Sequence, residues 1–365
     1  MYPILLRAYL TVKRKELVAM SITIIDVAKK ANVSKSTVSL VINNAPTVKA
    51  ETRQRVLEVI DELGYVPNFN ARGLTTKKTN SLGVLITPEK DTTESPFDFQ
   101  NETEFFSYDI LAGIPDGLEN TDYGLVIERY CVKNSDEHPL PEMISQRRVD
   151  GVIIIAGLYD DEFENRILES GIPAVVVGRP QSVFDSVSVD IEQGIYLATE
   201  KLISVGIKKI CYINCPSIFS SNQRRRNGFY HAINDYHLYE EDQRVVDTEW
   251  NTGKGGYEAI KNLFVSGYRP DGIVAAHDSI ALGIMRYMYE NEIRIPRDIS
   301  IISFENSVLS GYAAPALSTV DINKRELGKK AGELLVQRIE KPKMPKATLL
   351  YTPTVINRDS VYQRD

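Results

Sequence analysis

Beyond residue 80, short apolar segments recur along the chain, bounded by turn-forming residues and separated by stretches with helical periodicity. The clearest of them are residues 82–86, 124–127, 152–155, 174–177, 210–213, 273–276 and 299–304. Strands that alternate with helices in this way predict parallel sheets covered by helices on both faces. Because about 285 residues exceed one comfortable hydrophobic core, we expect an α/β core of two doubly wound parallel-sheet lobes.

Two of the predicted strands begin alike, with VDGVII at residues 149–154 and RPDGIV at residues 269–274. The match indicates that the same strand entry is used once in each lobe. Ligands of open α/β sheets bind beyond the carboxyl ends of the strands. We therefore expect a ligand in the cleft between the lobes.

A different pattern occupies residues 22–42, where two short amphipathic helices and a tight turn are predicted. In the first helix, Thr23 is the predicted N-cap, and Asn32 and Val33 end the helix. Ser34 is the predicted N-cap of the second. The two faces of the second helix consist of Val38, Val41 and Ile42 on one side and Lys35, Ser36, Ser39 and Leu40 on the other.

Such a pair is typical of the helix-turn-helix, whose second helix lies in the DNA major groove. An ordinary capped helix pair in an all-α domain is the alternative. Charge favours DNA, because residues 1–80 hold 13 lysines and arginines against 6 acidic residues, a net charge of +7. The rest holds 30 against 43, a net charge of −13. A basic module on an acidic body is expected of a protein that binds phosphates.

Several ordered motifs closely resemble the LacI/GalR family of bacterial transcription regulators. The N-terminal ones are residues 22–44 (ITIIDVAKKANVSKSTVSLVINN), 48–53 (VKAETR) and 64–74 (GYVPNFNARGL). Further motifs lie at residues 113–114, 149–155, 225–229, 278–283, 298–306, 315–320 and 358–360. The resemblance extends over about residues 22–361. It implies a small all-α helix-turn-helix head on a periplasmic-binding-protein-like core.

The implied organisation has four parts. Residues 1–21 form an N-terminal extension, residues 22–66 the DNA-binding domain, residues 67–80 the hinge helix and linker, and residues 81–365 the effector-binding and dimerisation core. The N-lobe is expected at about residues 81–189 and 323–350, and the C-lobe at about 190–322 and 351–365. The extension does not match the family and is expected to be disordered or untranslated, with Met20 as the start; the intact mass of the native protein tests this.

In the family, hinge helices pair across a dimer in the minor groove, and each inserts a leucine wedge. Here residues 69–75 would form this helix after Pro67, and a helix so short should form only when something holds it. The DNA-binding residues implied in this sequence are Thr23, Ile25, Ser34, Lys35, Ser36, Thr37, Ser39, Leu40, Asn43, Thr47, Asn68, Ala71, Arg72 and Leu74.

The effector-binding residues implied by the resemblance are Arg225, Glu305, His277, Trp250, Ser221 and Val189. Glu305 and His277 replace an aspartate and an asparagine that are usual in the family, and Gly178 lacks an acidic side chain that other members have. Asp190 and Asp278 are expected to brace loops beside the cleft. The resemblance favours a sugar as effector, but a purine or nucleoside and a phosphocarrier protein remain open as alternatives.

No catalytic apparatus or cofactor is expected. Cys131, Cys211 and Cys215 form no CxxC motif, and the four histidines lack metal-ligand spacing. Residues 251–256 (NTGKGG) lack the first glycine and the final Ser/Thr of a phosphate loop, so we predict a flexible turn there. With few cysteines and no export signal, a cytoplasmic, nucleoid-associated protein is expected.

The resemblance also implies a homodimer on a pseudo-palindromic operator. No leucine heptad of the tetrameric members follows Ser360, so a dimer is favoured over a tetramer. The effector would bind one lobe arrangement better and thereby change hinge pairing. Whether it acts as inducer or corepressor stays open.

Leu40 generates a specificity prediction, because the family commonly has an arginine after the TVS triplet. Leucine cannot make the bidentate contact to guanine O6 and N7 but can pack on a thymine methyl group. We expect the half-site to lack that guanine, and Leu40→Arg should shift preference toward a guanine by about 1–3 kcal/mol. Unchanged binding to an operator panel would show that Leu40 does not contact bases.

Overall fold

The computed structural model describes residues 22–42, 45–65, 78–87, 105–130, 140–155, 161–178 and 183–362. The chain divides into two compact units, Met1–Thr79 and Asn80–Asp365. The predicted hinge helix and the N-terminal extension lie outside the described residues. Within the described ranges, no helix is both long and apolar enough to cross a membrane.

The described part of the first unit, residues 22–42, 45–65 and 78–79, contains three helices, α1 (Ile24–Lys30), α2 (Lys35–Ile42) and α3 (Ala50–Leu63). Their apolar faces meet in one small core. This core consists of Val27, Ala28, Ala31, Val38, Val41, Val56 and Val59, with half-buried neighbours around it. The buried side chains recur at helical spacing, so each helix contributes one stripe to the core.

Local hydrogen bonds explain where α1 begins, and left-handed backbone conformations explain where α1 and α3 end. The Thr23 amide and hydroxyl both donate to Asp26 Oδ2, at 2.9 and 2.7 Å. These bonds hold the pKa of the Asp26 carboxyl below its ordinary value. Asn32 has φ +55° after α1, and Gly64 ends α3 with φ +61°. The predicted helix, cap and break are confirmed.

The second unit contains two six-stranded sheets. Their strands in chain order are β1 (Ser81–Ile86), β2 (Gly124–Arg129), β3 (Gly151–Ile155), β4 (Ala174–Val177), β5 (Asp185–Val189), β6 (Ile210–Asn214), β7 (Arg244–Asp247), β8 (Gly272–Ala275), β9 (Ser300–Phe304), β10 (Ser318–Asp321), β11 (Thr348–Tyr351) and β12 (Thr354–Ile356). The spatial orders are β11-β5-β4-β3-β1-β2 in the N-lobe and β12-β10-β9-β8-β6-β7 in the C-lobe.

Helices lie between the strands. They are α4 (Phe105–Gly113), α5 (Glu142–Ser145), α6 (Asp161–Glu169), α7 (Ile191–Ser204), α8 (Ser221–Asp235), α9 (Gly253–Val265), α10 (Asp278–Glu290), α11 (Val308–Tyr312) and α12 (Lys324–Glu340). Successive residues of β3 belong to different apolar clusters, Ile153 and Ile155 to one and Val152 and Ile154 to the other. Both faces of the sheet are therefore covered, as the continuous apolar segments predict.

The two sheets repeat one topology, and the shared strand entry lies at the same place in both. β3 pairs with β1 and β4, and β8 pairs with β6 and β9. At their entries, Asp150 N donates to Ser81 O and Asp271 N donates to Lys209 O, each at 2.8 Å. The predicted parallel pairing is confirmed. The exception is β12, which pairs with β10 in the antiparallel sense.

The chain passes between the sheets three times. It crosses after β5, again between β10 and α12, and finally between β11 and β12. Each lobe is therefore assembled from separate parts of the sequence. Three adjacent connections join the lobes.

One prediction for this region is wrong. Residues 251–256 were expected to form a flexible turn, but α9 already begins at Gly253. Thr252 is its N-cap and accepts a hydrogen bond from Gly255 N at 3.4 Å. A Cβ atom on Gly256 would lie 2.1 Å from the Ile280 carbonyl oxygen, so these glycines allow α9 to pack closely on α10.

Gly228 permits an equally close contact between α7 and α8. A Cβ atom there would lie 2.1 Å from the Glu192 carbonyl oxygen, a backbone atom that cannot rotate away. Gly228→Ala should therefore force the helices apart and cost about 1–3 kcal/mol of unfolding free energy, measured in urea. Gly311→Ala is the matched helical control, because nothing lies within 4 Å of its Cβ position. Equal stability of the two variants would contradict this account.

Candidate functional site

The first candidate site is the exposed side of α2. Ser34 Oγ accepts a hydrogen bond from Thr37 N at 3.1 Å, which confirms the predicted N-cap. The same hydroxyl lies 2.7 Å from Ser36 Oγ and 2.8 Å from Thr37 Oγ1. This small hydroxyl cluster stands at the N-terminal end of α2, the end that contacts bases in helix-turn-helix proteins.

Burial divides α2 as predicted. Val38 and Val41 are buried, whereas Leu40 is 43% exposed. The other candidates in the described ranges are also open to solvent. Six of them are exposed, namely Thr23, Ile25, Ser34, Lys35, Ser36 and Thr47, and two are half-buried, namely Thr37 and Ser39. The remaining candidates, Asn43, Asn68, Ala71, Arg72 and Leu74, lie outside the described residues. An exposed leucine among hydroxyl groups is available for an apolar contact to a base.

The second candidate site lies at the carboxyl edge of the C-lobe sheet. Cys215 follows β6, His277 follows β8 by two residues, and Glu305 directly follows β9. Parallel strands bring these positions to one edge. His277 Nδ1 lies 2.5 Å from Glu305 Oε1, and both side chains are only 13% exposed.

His277 and Glu305 form a buried ion pair. Burial alone would lower the pKa of His277, but the Glu305 carboxylate reverses this and raises it to about 9. Burial alone would raise the pKa of Glu305, and the neighbouring His277, Lys324 and Arg225 cations instead hold it below its ordinary value. Both groups are therefore charged at neutral pH.

The Glu305 backbone is strained. Its φ of +110° is rare for a residue with a side chain, and Asn306 follows with φ +52°. Glu305 N donates to Val320 O at 2.9 Å, and Asn306 N donates to Thr319 Oγ1 at 3.2 Å. Strain of this kind persists where the surroundings fix it, commonly at functional sites.

Arg225 adds a second cation at this edge. Its side chain projects from α8, and the residue is 4% exposed. Nη1 donates to Ala276 O at 2.8 Å, and the guanidinium carbon lies 4.7 Å from the Phe304 ring centroid. Nε has no hydrogen-bond partner among the described residues. The site thus holds a fixed, buried donor that a ligand oxygen can satisfy.

Two aspartates beside the site have structural roles, as predicted. Asp278 accepts hydrogen bonds from Ser303 Oγ, from Thr319 Oγ1 at 2.8 Å and from Ser307 N at 2.5 Å. Asp190 caps α7 by accepting from Gln193 N at 3.2 Å. Both carboxylates thus hold nearby backbone and side-chain groups in place.

The other predicted effector residues are more scattered. Trp250 is half-buried, and Lys254 Nζ lies 4.2 Å from its ring centroid, so one face of the indole is already covered. Ser221 is the first residue of α8, and Val189 is buried at the end of β5 in the N-lobe. Arg225, His277 and Glu305 are the members that the structure brings together.

Sequence analysis missed Lys324 and Asp109. Lys324 Nζ lies 2.5 Å from Asp109 Oδ2, and its effect on Glu305 places it near the ion pair. A lysine in the first turn of an amphipathic helix is normally exposed, so the sequence carried no signal for its burial.

Comparison with known proteins assigns both parts of the chain to known domain families. Residues 23–68 match the family model for bacterial regulatory proteins of the lacI family, and residues 199–361 match that of the periplasmic binding protein-like domain. The ribose operon repressor of Haemophilus influenzae is 32% identical over 346 residues, 93% of this chain and 98% of that protein. This chain belongs to the LacI family. It is therefore a DNA-binding transcription regulator.

Other members support the same assignment. Catabolite control protein A of Priestia megaterium is 31% identical, over 88% of this chain and 94% of that protein. A solved complex of the transcriptional regulator CelR with cellobiose has 25% identity and a TM-score of 0.68, over 93% of this chain and 99% of that one. The family and the fold expected from the motifs are confirmed.

The His277–Glu305 pair predicts how stability depends on pH. Folded His277 stays protonated up to about pH 9, whereas the unfolded chain releases that proton near pH 6.5. Its contribution is complete below pH 6.5 and is lost as pH rises to about 9, at most about 3 kcal/mol. Urea unfolding across this range should show that loss.

His277→Gln should be less stable than the parent protein near pH 6.5 and should lack the decline toward pH 9. His231→Gln, at an exposed histidine beside Glu192, is the control and should keep the decline. A parent protein whose stability rises over this range would contradict the ion pair.

Proposed function

We propose that this LacI-family member represses carbohydrate-utilisation genes and that a small molecule bound between the two core lobes controls its operator affinity. A sugar is the effector class that we favour. The relative named ribose operon repressor and the regulator solved with cellobiose support that choice. We also propose that it works in the cytoplasm, associated with the nucleoid, because its operator lies on the chromosome.

The observation that carries this proposal is the convergence of Arg225, His277 and Glu305 at one sheet edge. All three are charged, nearly buried and fixed by neighbouring groups. Burying charged groups together with an unused hydrogen-bond donor costs free energy unless a ligand accepts a bond from that donor. Ligand binding explains this arrangement without an activated nucleophile. We therefore favour a binding role over an enzymatic one.

Control of DNA binding follows from the three connections between the lobes. A ligand that binds one lobe arrangement better than another shifts the population toward it. We propose that the two arrangements differ in how they hold the hinge segments of a dimer, residues 69–75 in each subunit. The coupling free energy expected of such systems is about 1–3 kcal/mol, or about 5- to 150-fold in operator affinity.

The dimer is likewise a proposal. Helix α11 presents Val308, Leu309 and Tyr312 to solvent, three apolar side chains in a five-residue helix. An exposed apolar surface of this kind is typical of a protein interface. Sedimentation at micromolar concentration should give a dimer, and a stable tetramer would overturn the proposal.

The proposed function is tested by first selecting an operator from random duplexes with the purified full chain. Operator affinity is then measured with sugars, sugar acids, sugar phosphates, nucleobases and nucleosides. We expect a pseudo-palindromic operator and one ligand class that changes its affinity at least about fivefold. If only purines or nucleosides changed the operator affinity, the effector would belong to that alternative class and not to the sugars.

Arg225→Met separates effector binding from DNA binding. It should abolish the ligand response, while operator affinity without ligand stays within about twofold of the parent, because the guanidinium does not belong to the head. Arg226→Met is the matched control, one residue along α8, where Arg226 pairs with Asp247 at 2.9 Å. A full response in the Arg225 variant would contradict the assigned site.

A regulator signalled mainly by a phosphocarrier protein is the second candidate, favoured by the similarity to catabolite control protein A. Calorimetry with small molecules alone distinguishes the two. A heat of specific binding measured with a sugar supports the proposed effector. Heat only with a phosphorylated carrier protein supports the alternative.

A further inference from the structure

Lys324 is a buried cation between the two lobes. It follows β10 of the C-lobe sheet and is the first residue of α12, which packs on the N-lobe. Its side chain is 5% exposed, whereas that of its ion-pair partner Asp109 is 42% exposed. The Lys324 ammonium makes no hydrogen bond of good geometry within the described ranges, although Asp109 Oδ2 is 2.5 Å away. Asp109 therefore compensates its charge and can accept at most one of its three N–H donors.

Backbone packing fixes Lys324 in this position. A Cβ atom on Gly113 would lie 1.9 Å from the Arg325 carbonyl oxygen, and one on Gly328 would lie 1.9 Å from the Ile110 carbonyl oxygen. Helices α4 and α12 are thus in direct backbone contact on both sides of the ion pair. The ammonium cannot withdraw with its helix, whereas the half-exposed Asp109 carboxylate can rotate into solvent.

Acceptors for these cations are scarce at the sheet edge. Glu305 interacts with three cations, Arg225, His277 and Lys324, and its Oε1 is already bonded to His277. The buried Asp278 carboxylate is occupied by Ser303, Thr319 and Ser307. Among the described residues, Arg225 Nε has no hydrogen-bond acceptor, and Lys324 Nζ has only the Asp109 carboxylate beside it.

We propose that the effector carries an anionic group, a carboxylate or a phosphate, and that Arg225 and Lys324 bind it. The proposal rests on the proposed function, since it names the effector class of the same cleft. An anion adds the attraction of opposite charges to these hydrogen bonds, and a carboxylate or phosphate can also accept two parallel bonds from a guanidinium, which a single hydroxyl group cannot. A hydroxyl group would leave Asp109 as the main counter-charge of Lys324, whereas an anion replaces it. The effector is a sugar acid or a sugar phosphate.

Calorimetry on the purified full chain tests this with ligand pairs that differ in the anionic group. The pairs are D-galactose and D-galacturonate, D-glucose and D-glucuronate, and D-ribose and D-ribose 5-phosphate. In at least one pair the anion should bind at least about tenfold more tightly than the neutral sugar. The pair that responds distinguishes carboxylate from phosphate.

Variants then assign the preference to Lys324. Lys324→Met should weaken binding of the anion about tenfold or more and leave the neutral sugar within about twofold, whereas Lys324→Arg should keep the preference. Lys330→Met is the matched control on α12, where Lys330 pairs with Glu333 at the surface. If Lys324→Met does not fold, Asp109→Asn serves instead, and it should tighten anion binding because the competing carboxylate is gone.

Several outcomes would overturn the inference. They are equal affinity within every pair, no binding of any anion, an unchanged preference in Lys324→Met, and unchanged or weaker anion binding in Asp109→Asn. A neutral sugar that releases the operator would refute the inference and leave the proposed function standing. An anion that binds but leaves operator affinity unchanged would refute the proposed function alone.

Discussion

The hydrogen-bonded register of parallel strands is the constraint on which the second candidate site, at the carboxyl edge of the C-lobe sheet, depends. β6, β8 and β9 pair side by side, with Ile210, Gly272 and Ser300 at matching positions. Their carboxyl ends therefore open at one edge, although the residues that follow them are separated by up to 90 positions in sequence. The ion pair, the Arg225 guanidinium and the Asp278 brace all take their positions from this register. Because the pairing is continuous, the backbone positions at this edge are fixed relative to one another.

Much of this fold could be predicted because its strands are continuous apolar segments. β3 and β4 contain only apolar residues and glycine, and the only polar residue of β1 is its first. The composition of these strands therefore predicts that both of their faces are buried. The strands that escaped prediction lack this signal. β5 reads DSVSV, yet all five residues are buried, and Arg338 compensates the one charged residue, Asp185, at 2.7 Å. β7, β11 and β12 are short edge strands whose pairing partners alone define them.

The candidate site shows the same division. Arg225, His277 and Glu305 could be named from the family resemblance, since each lies in or next to one of its motifs. Lys324 and Asp109 could not, because their pairing depends on a glycine-mediated helix contact between distant segments. Within the head, caps and faces follow from local sequence, since a helix terminus is satisfied by residues next to it. The domain boundaries and the individual DNA and effector contacts stay predictions.

The three connections between the lobes have a mechanical consequence. A single connector would let the lobes twist and swing about any axis, whereas three adjacent connectors resist twisting and leave bending about one line as the soft motion. Lys324 stands at the second connector and Val189 at the first. A molecule that bound at this line would change its bending angle directly, and every atom of the N-lobe would then move in proportion to its distance from the line. Small displacements beside the ligand would thereby become large displacements at the far end of that lobe.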